Sequence, residues 1–406
     1  MAFFDRYLER AETELLVEVR MAKELGIYPY FKELCSEQGP IVDINGREVI
    51  MLGSNNYLGF TTDPRIKKAA KKAIDDFGVG STGSRLLNGT MELHVELEKR
   101  LANFFGTEEA VIFSTGMQAN LGTLSCFLGK DDWVVSDEQN HASIIDGIRL
   151  GGLPSKNKLI YKHNDMEDLE KCLKKIPEGE HGLIVTDGVF SMHGDIAHVD
   201  VITELAEKYG AGVYVDDAHA VGVMGPNGRG TAHHFGVEKK VDLIMGTFSK
   251  SFASIGGYVA GSEILCQWIK HRARSLIFSA SAPPASVASV LAILDIIETD
   301  DSNRQKLWAN TKRLRDGYLA AGFNIGESET PIIPLIVGED MPTFWLFKNL
   351  FEETPRSVYT NPVRTPAVPI GGQLLRTSCQ ASFDFDTLDE AVEIITKHAK
   401  ELEIIK

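Results

Sequence analysis

Residues 212–225 read GVYVDDAHAVGVMG and residues 242–257 read DLIMGTFSKSFASIGG. Each opens on a short apolar run and then breaks into acidic, imidazole, hydroxyl or amine side chains, as a buried strand does at the edge of a sheet. The same form recurs upstream in AVIFS (110–114), WVVSD (133–137), KLIYK (158–162) and GLIVTDGV (182–189). Segments of helical period separate these runs: QANLGTLSCFLG from 118, a helix from His141, MEDLEKCLKK from 166 and VDVITELAEKYG from 199. Apolar strands alternating with helices predict an α/β fold on a mainly parallel, doubly wound sheet covered on both faces.

Helices at 65–78 and 91–106 precede this sheet. Before them lie an amphipathic helix, an aromatic turn (Tyr28 to Phe31) and IVDINGREVIML, whose Asn45-Gly46 signals a hairpin. After Pro283 and Pro284 the order changes to long helices, then the strands PIIPLIV, VYTNPV and LLRTSCQ, and a closing helix from Leu388. Helices followed by strands suggest a smaller α+β C-terminal domain. The expected division is an N-terminal arm over 1–50, a large domain over 51–290 and the α+β domain over 291–406.

The chain has 406 residues and a net charge of −15, which opposes polyanions and excludes nucleic acid as a first partner. Its five cysteines are odd in number and lack metal-type spacing, so they read as reduced thiols of a cytoplasmic protein, and no metal is expected. Asp5, Arg6, Glu9 and Arg10 stand where a secretory signal needs an apolar run. Val287 to Ile297 is too short to span a bilayer and reads as a buried helix. Glycine, at 37 residues, exceeds the usual share of about 7% and points to many tight turns.

Gly78, Gly80 and Gly83 match G-x-G-x-x-G, but a helix precedes them where a dinucleotide fingerprint needs a strand. The strand-to-helix turn through Thr115, Gly116 and Met117 is more informative, because a helix N-terminus at a sheet edge can hold a phosphate; an ordinary turn is the equal alternative. Three more strand ends carry polar groups a core does not need: Asp137 to His141, Asp216 to His219 and Thr247 to Lys250. Lys250 lies among small and hydroxyl residues with no acid beside it, a setting that lets a lysine lose its charge and form an imine. A lysine, an acid for a pyridine nitrogen, a flat ring and a helix N-terminus are together the requirements of pyridoxal 5′-phosphate (PLP).

The segments GSNNYLG (53–59), GSRLLNGT (83–90), STGMQAN (114–120), NHASIIDGIRL (140–150), HNDMEDLE (163–170), TDGVFSMHGD (186–195), VDDAHAVGVMG (215–225), GTFSK (246–250) and LLRTS (374–378) carry a specific likeness. On them the chain resembles the α-oxoamine synthase family of fold-type I PLP-dependent transferases from about Tyr28 onward. GIYPYF, IFSASAPPA and the whole 242–261 run lean toward the branch that uses L-serine and a long-chain acyl-CoA. Branches that condense glycine or L-alanine with other thioesters stay open. One departure is Phe383, where the family usually has a histidine.

The resemblance implies a role for each matching residue. Lys250 would join PLP and later move the α-proton, Asp216 would bond the pyridine nitrogen, and His219 would bond the ring 3′-oxygen. His141 would lie on the ring and hydrogen-bond the thioester oxygen. Gly116, Met117, Thr247 and Ser249 would hold the phosphate, with Ser279 contributed across a homodimer with shared active sites. Arg376 would take the substrate carboxylate, with Asn56 and Ser191 nearby. The acyl product is poorly water-soluble, which raises weak peripheral contact with a membrane as a hypothesis that the net charge opposes.

Overall fold

The computed structural model describes residues 3–406, so Met1 and Ala2 of the expected arm lie outside the described residues. Its centre is a seven-stranded sheet with spatial order Glu109–Phe113, Gly257–Gly261, Leu243–Thr247, Gly212–Asp216, Gly182–Asp187, Trp133–Asp137 and Lys158–Tyr161. All these strands run parallel except Gly257–Gly261, which pairs antiparallel with both of its neighbours. That strand was not anticipated, because Gly256-Gly257 and the small residues before it read as loop. Its glycines serve close packing: a Cβ on Gly257 would sit 2.6 Å from the Gly116 Cα.

Successive residues of each strand feed opposite faces. Ala110 and Ile112, Val213 and Val215, and Ile244 enter one apolar cluster, while Val111 and Phe113, Tyr214, and Leu243 and Met245 enter the other. Burying each large aliphatic side chain contributes about 1.5–3 kcal/mol, so a sheet covered on both faces is the stable outcome of these continuous apolar runs. Helix Gly116–Phe127 packs on helix Ala142–Leu150 on the Val111 face. On the other face, helix Glu92–Phe105 is tied to the edge strand through Glu98, which takes the Ile112 N–H and a bidentate pair from Arg85 at 2.8 and 3.1 Å. Arg85 thus gives the GSRLLNGT segment a structural role.

The glycine trio at 78–83 follows helix Pro64–Phe77, as its context indicated, and Gly83 serves packing against Asn88. The hairpin Ile41–Ile44 and Arg47–Met51 forms, with Asn45 and Gly46 both at positive φ. Its second strand pairs parallel with Ser357–Tyr359. The run expected as one strand, VYTNPV, is therefore two: Asn361–Val363 belongs to another sheet, beside Leu374–Ser378 and Ile332–Ile336. Arg376 lies on the middle strand of that second small sheet.

Helix Pro284–Thr299, which contains the apolar run Val287 to Ile297, packs on helices Pro64–Phe77 and Glu92–Phe105. It spans the expected boundary at 290, and as a proposal the division is better placed in the Asp300–Asp301 link that follows it. All five cysteines are free, and no helix among the described residues is long and apolar enough to cross a membrane.

Candidate active site

Strands Trp133–Asp137, Gly182–Asp187, Gly212–Asp216 and Leu243–Thr247 all end at one side of the large sheet, where a cavity of about 290 Å³ opens. Gly116, Met117, His141, Ser191, Asp216, His219, Thr247, Ser249 and Lys250, all singled out in the sequence, line it. They converge because parallel strands deliver their carboxyl ends to the same edge.

Burial lowers the Lys250 ammonium to about 8, only partly opposed by the carboxylates of Asp216 and Asp187. Asp216 is set by two donors: Asn120 Nδ2 at 2.7 Å and the Ala218 N–H at 3.0 Å. Asn120 is itself held by the Tyr214 hydroxyl at 2.7 Å and gives its amide to Ser143 Oγ at 2.8 Å. Beside Asp216 in register stands Asp187, whose carboxyl is raised well above its ordinary value by burial and then by the Asp216 charge. Asp187 accepts the His141 backbone N–H at 3.0 Å.

Burial favours the neutral form of both imidazoles. Burial lowers His219 well below its ordinary value, reinforced by Lys250 and Arg376. Its Nδ1 lies 2.7 Å from the Tyr57 hydroxyl, which also receives Arg376 Nη2 at 3.4 Å. The Tyr57 hydroxyl also donates toward Asn55 Oδ1 at 3.2 Å, so its one proton serves two acceptors, and the Tyr57–His219 pair fixes the ring position while either nitrogen can carry the imidazole proton. His141 caps helix Ala142–Leu150, its Nδ1 accepting from the Ser143 N–H, and burial lowers its pKa too. An Nδ1 that accepts carries no proton, so the His141 proton resides on Nε2.

Opposite these groups, helix Gly116–Phe127 begins at Thr115, whose hydroxyl accepts the Gln118 N–H at 3.1 Å. The first-turn N–H groups of Gly116 and Met117 have no helical acceptor. A Cβ on Gly116 would meet Thr247 Oγ1 at 2.8 Å, so only glycine allows this close approach. Thr247 and Ser249 hydroxyls lie 3.0 Å apart beside it.

Three expected residues are not part of this lining, and one of them, Ser279, is expected to serve a neighbouring subunit's site. Arg376 is close enough to the cavity for its charge to act on Lys250 and His219; it is 5% exposed, with Nε on the Ser191 carbonyl, Nη1 on Ser378 Oγ at 2.9 Å and Nη2 on Asn55 Oδ1 at 3.0 Å. Asn56 turns away: its amide bonds Thr61 Oγ1 at 2.7 Å and Gln380 Oε1 at 3.3 Å, leaving Asn55 as the asparagine beside Arg376. Ser279 is off the cavity and accepts from Gln118 Nε2 at 2.9 Å. Phe383 is buried in the main apolar cluster, away from the cavity lining. The sequence reading passed over Tyr57, Asn120, Ser143 and Asp187 as site groups, although each lies inside a segment that carried the family likeness.

A low-pKa lysine, a carboxylate fixed by two donors, two neutral imidazoles and a glycine-cleared helix N-terminus fit PLP by the chemistry of the donor set. Fold and cavity together define a fold-type I PLP-dependent transferase. The chain belongs to the family described as aminotransferase class I and II, whose profile matches residues 47–395, and within it to the α-oxoamine synthases. It is similar to a serine palmitoyltransferase of Sphingobacterium spiritivorum, 48% identical over 387 residues covering 95% of each chain. It is also similar to an 8-amino-7-oxononanoate synthase of Bacillus velezensis, 44% identical over 96% of this chain and 98% of that one. A solved serine palmitoyltransferase variant from S. paucimobilis, bound to a PLP–myriocin aldimine, superposes with a TM-score of 0.94 at 33% identity over 100% of both chains.

Proposed function

We propose that this chain condenses L-serine with a long-chain acyl-CoA such as palmitoyl-CoA, releasing CoA and CO2 to give 3-ketodihydrosphingosine. The observation that carries this reading is the convergence of Lys250, Asp216, His141 and His219 on one cavity, in a chain 48% identical to a serine palmitoyltransferase.

PLP, when bound, supplies an electron sink for the charge left on the amino acid's α-carbon. Gly116 and Met117 N–H groups with the Thr247 and Ser249 hydroxyls would hold its phosphate, where the helix dipole favours negative charge. Asp216, fixed by Asn120 and Ala218, would keep a proton on the ring nitrogen. His219 would hold the ring 3′-oxygen. Lys250, with its pKa near 8, has a neutral fraction at physiological pH that can take the α-proton. His141 presents a flat ring and an Nε2–H for the thioester oxygen as negative charge develops there. Arg376 receives the substrate carboxylate by exchanging Asn55 at Nη2 while Ser191 keeps Nε in place.

The exposed side chains of Val79, Leu86, Leu87 and Phe278 support a homodimer: their segments are joined by the Ser281 N–H on the Gly83 carbonyl, next to the Ser279 loop. In this reading a second chain covers this patch and Ser279 serves its neighbour's phosphate site. The reading keeps the protein in the cytoplasm, and the exposed Phe3, Phe4, Tyr7 and Leu8 give weak peripheral membrane contact a surface.

The test is to mix the PLP-loaded protein with L-serine, glycine and L-alanine, follow the PLP absorbance, and then measure CoA release with thioesters of increasing length. Serine with a long-chain acyl-CoA is expected to give the highest kcat/KM. A response to L-alanine with a pimeloyl thioester, and none to serine, would instead support the second reading, which the 44% identical oxononanoate synthase favours.

A further inference from the structure

The HNDMEDLE segment contributes nothing to the cavity wall, yet its first residue sits in a built electrostatic site. His163 Nδ1 lies 3.0 Å from Asp137 Oδ1, and its Nε2 lies 2.8 Å from Asp195 Oδ2. Burial alone would lower its pKa, but hydrogen bonds to the two carboxylates raise it to about 10, so the ring is an imidazolium donating from both nitrogens. The Phe190 ring meets it edge-on at 4.3 Å between centroids. Asp137 is anchored, fully buried at the end of its strand, with the N–H groups of Gln139 and Asn164 on its other lone pairs.

Asp195, by contrast, belongs to a loop. That loop leaves strand Gly182–Asp187, carries Val189 and Ser191 into the cavity, and returns through the bridge of Val189 with Ile196. Its tip is fastened to the C-terminal part of the chain: the Gly194 carbonyl accepts the Thr330 hydroxyl at 2.9 Å and the Glu329 N–H at 3.1 Å. The Ser191 carbonyl accepts Arg376 Nε. One loop therefore touches the cavity, the guanidinium and the segment leading into the small sheet, and His163 is its charged attachment to the large sheet. Asn164 adds a neutral one, from its Nδ2 to the Ile196 carbonyl at 2.8 Å.

We propose that His163 is a positioning residue for amino acid binding: by clamping Asp195 to Asp137 it sets the loop whose Ser191 carbonyl aims Arg376. His163 is not among the cavity-lining residues, so it acts on the site from outside. Its effect reaches the reaction through one carbonyl and one guanidinium.

The experiment uses the PLP-loaded full chain with whichever amino acid the wild type binds, so it stands whether or not that amino acid is serine. His163→Gln keeps one hydrogen bond and removes the charge. A displaced binding group costs up to about a hundredfold when misplaced by 1 Å, and the expected result is a KM for the amino acid raised about tenfold, with kcat changed less than about threefold and PLP absorbance unaltered. Arg376→Lys is made in both backgrounds. If His163 acts through Arg376, the His163→Gln penalty shrinks to less than about twofold in the Arg376→Lys protein, a coupling that a purely structural role does not produce. An equal penalty in both backgrounds, or an unchanged KM in the single variant, overturns the proposal. Should His163→Gln fail to fold, Asp195→Asn opens the same clamp from the loop side and is read by the same KM-against-kcat split and the same cycle.

Discussion

The strands Gly182–Asp187, Gly212–Asp216 and Leu243–Thr247 have a cavity at each end, and the two are nearly equal in volume, at about 290 and 300 Å³. At the carboxyl ends the wall carries Lys250, Asp216, Asp187, His141 and His219. At the amino ends it is Leu124, Phe127, Leu128, Trp133, Leu183 and Leu243, with Asp132, Asp242 and His181. Size does not distinguish them. What does is strand polarity together with groups whose ionisation is pushed from its ordinary range, which only the first cavity concentrates.

The sharpest way to break this distinction is to remove the amine. Lys250→Ala is expected to lower kcat by at least about 10⁴-fold, the upper range for losing a general base, and to abolish the PLP–lysine absorbance with it. The intact lysine carries its own pH signature. Its folded pKa is lowered from 10.5 to about 8, so the neutral, nucleophilic form is populated as pH rises through about 8. The rate of PLP capture by the cofactor-free protein should climb through that value; a midpoint near 10.5 would mean the desolvated site is wrongly described.

The next effect tests how firmly the first cavity is organised. Asn120→Ala removes the 2.7 Å donor to Asp216 and the donor to Ser143 that faces His141. A hydrogen bond to a charged group is worth about 1.5–3 kcal/mol, so kcat/KM is expected to fall about ten- to a hundredfold, with PLP dissociating faster. Unchanged kinetics would show that Ala218 alone holds the carboxylate.

This network also shows what the sequence could and could not disclose. Apolar runs ending in Asp216, Thr247 and Lys250 announced both the sheet and its functional edge, because strand period and strand polarity are local properties. The antiparallel strand Gly257–Gly261 was not legible, since its glycines answer a contact with Gly116 over a hundred residues earlier. Tyr57 and Asn120 were hidden for the same reason: a tyrosine or asparagine reads as core or cap until the partner across the fold is seen. Asn55 and Asn56 illustrate the limit, because adjacent identical residues point to different neighbours, and only three-dimensional pairing assigns Asn55 to Arg376.

A smaller effect is expected where the two cavities nearly meet. Tyr214 lines the apolar cavity while its hydroxyl holds Asn120 Oδ1. Tyr214→Phe leaves that oxygen without its donor at a cost of about 1–3 kcal/mol. Most of this should appear as lower stability, with a few-fold loss of kcat/KM from a less constrained Asp216. A loss as large as that of Asn120→Ala would mean the far cavity and the active site act as one unit.

The smallest effect is the one that most directly tests whether the apolar cavity is functionally silent. Leu183→Phe adds volume on the strand that ends in Asp187, but at its opposite end, facing the cavity beside Leu124 and Leu243. The strand's backbone register with its neighbours is fixed by parallel ladders on both sides, so the larger ring can be absorbed by the empty space without moving the Asp187 end. Leu183 makes no side-chain hydrogen bond to the Asn120 network, so its effect is expected to be nearly independent of the active site, and kcat and both KM values should stay within about twofold of wild type. Melting temperature reports separately whether the ring fits or strains the strand. If Leu183→Phe keeps its stability and still raises the acyl-CoA KM severalfold, the apolar cavity takes part in binding the acyl chain, and equal volume at the two ends of these strands would reflect two parts of one substrate path.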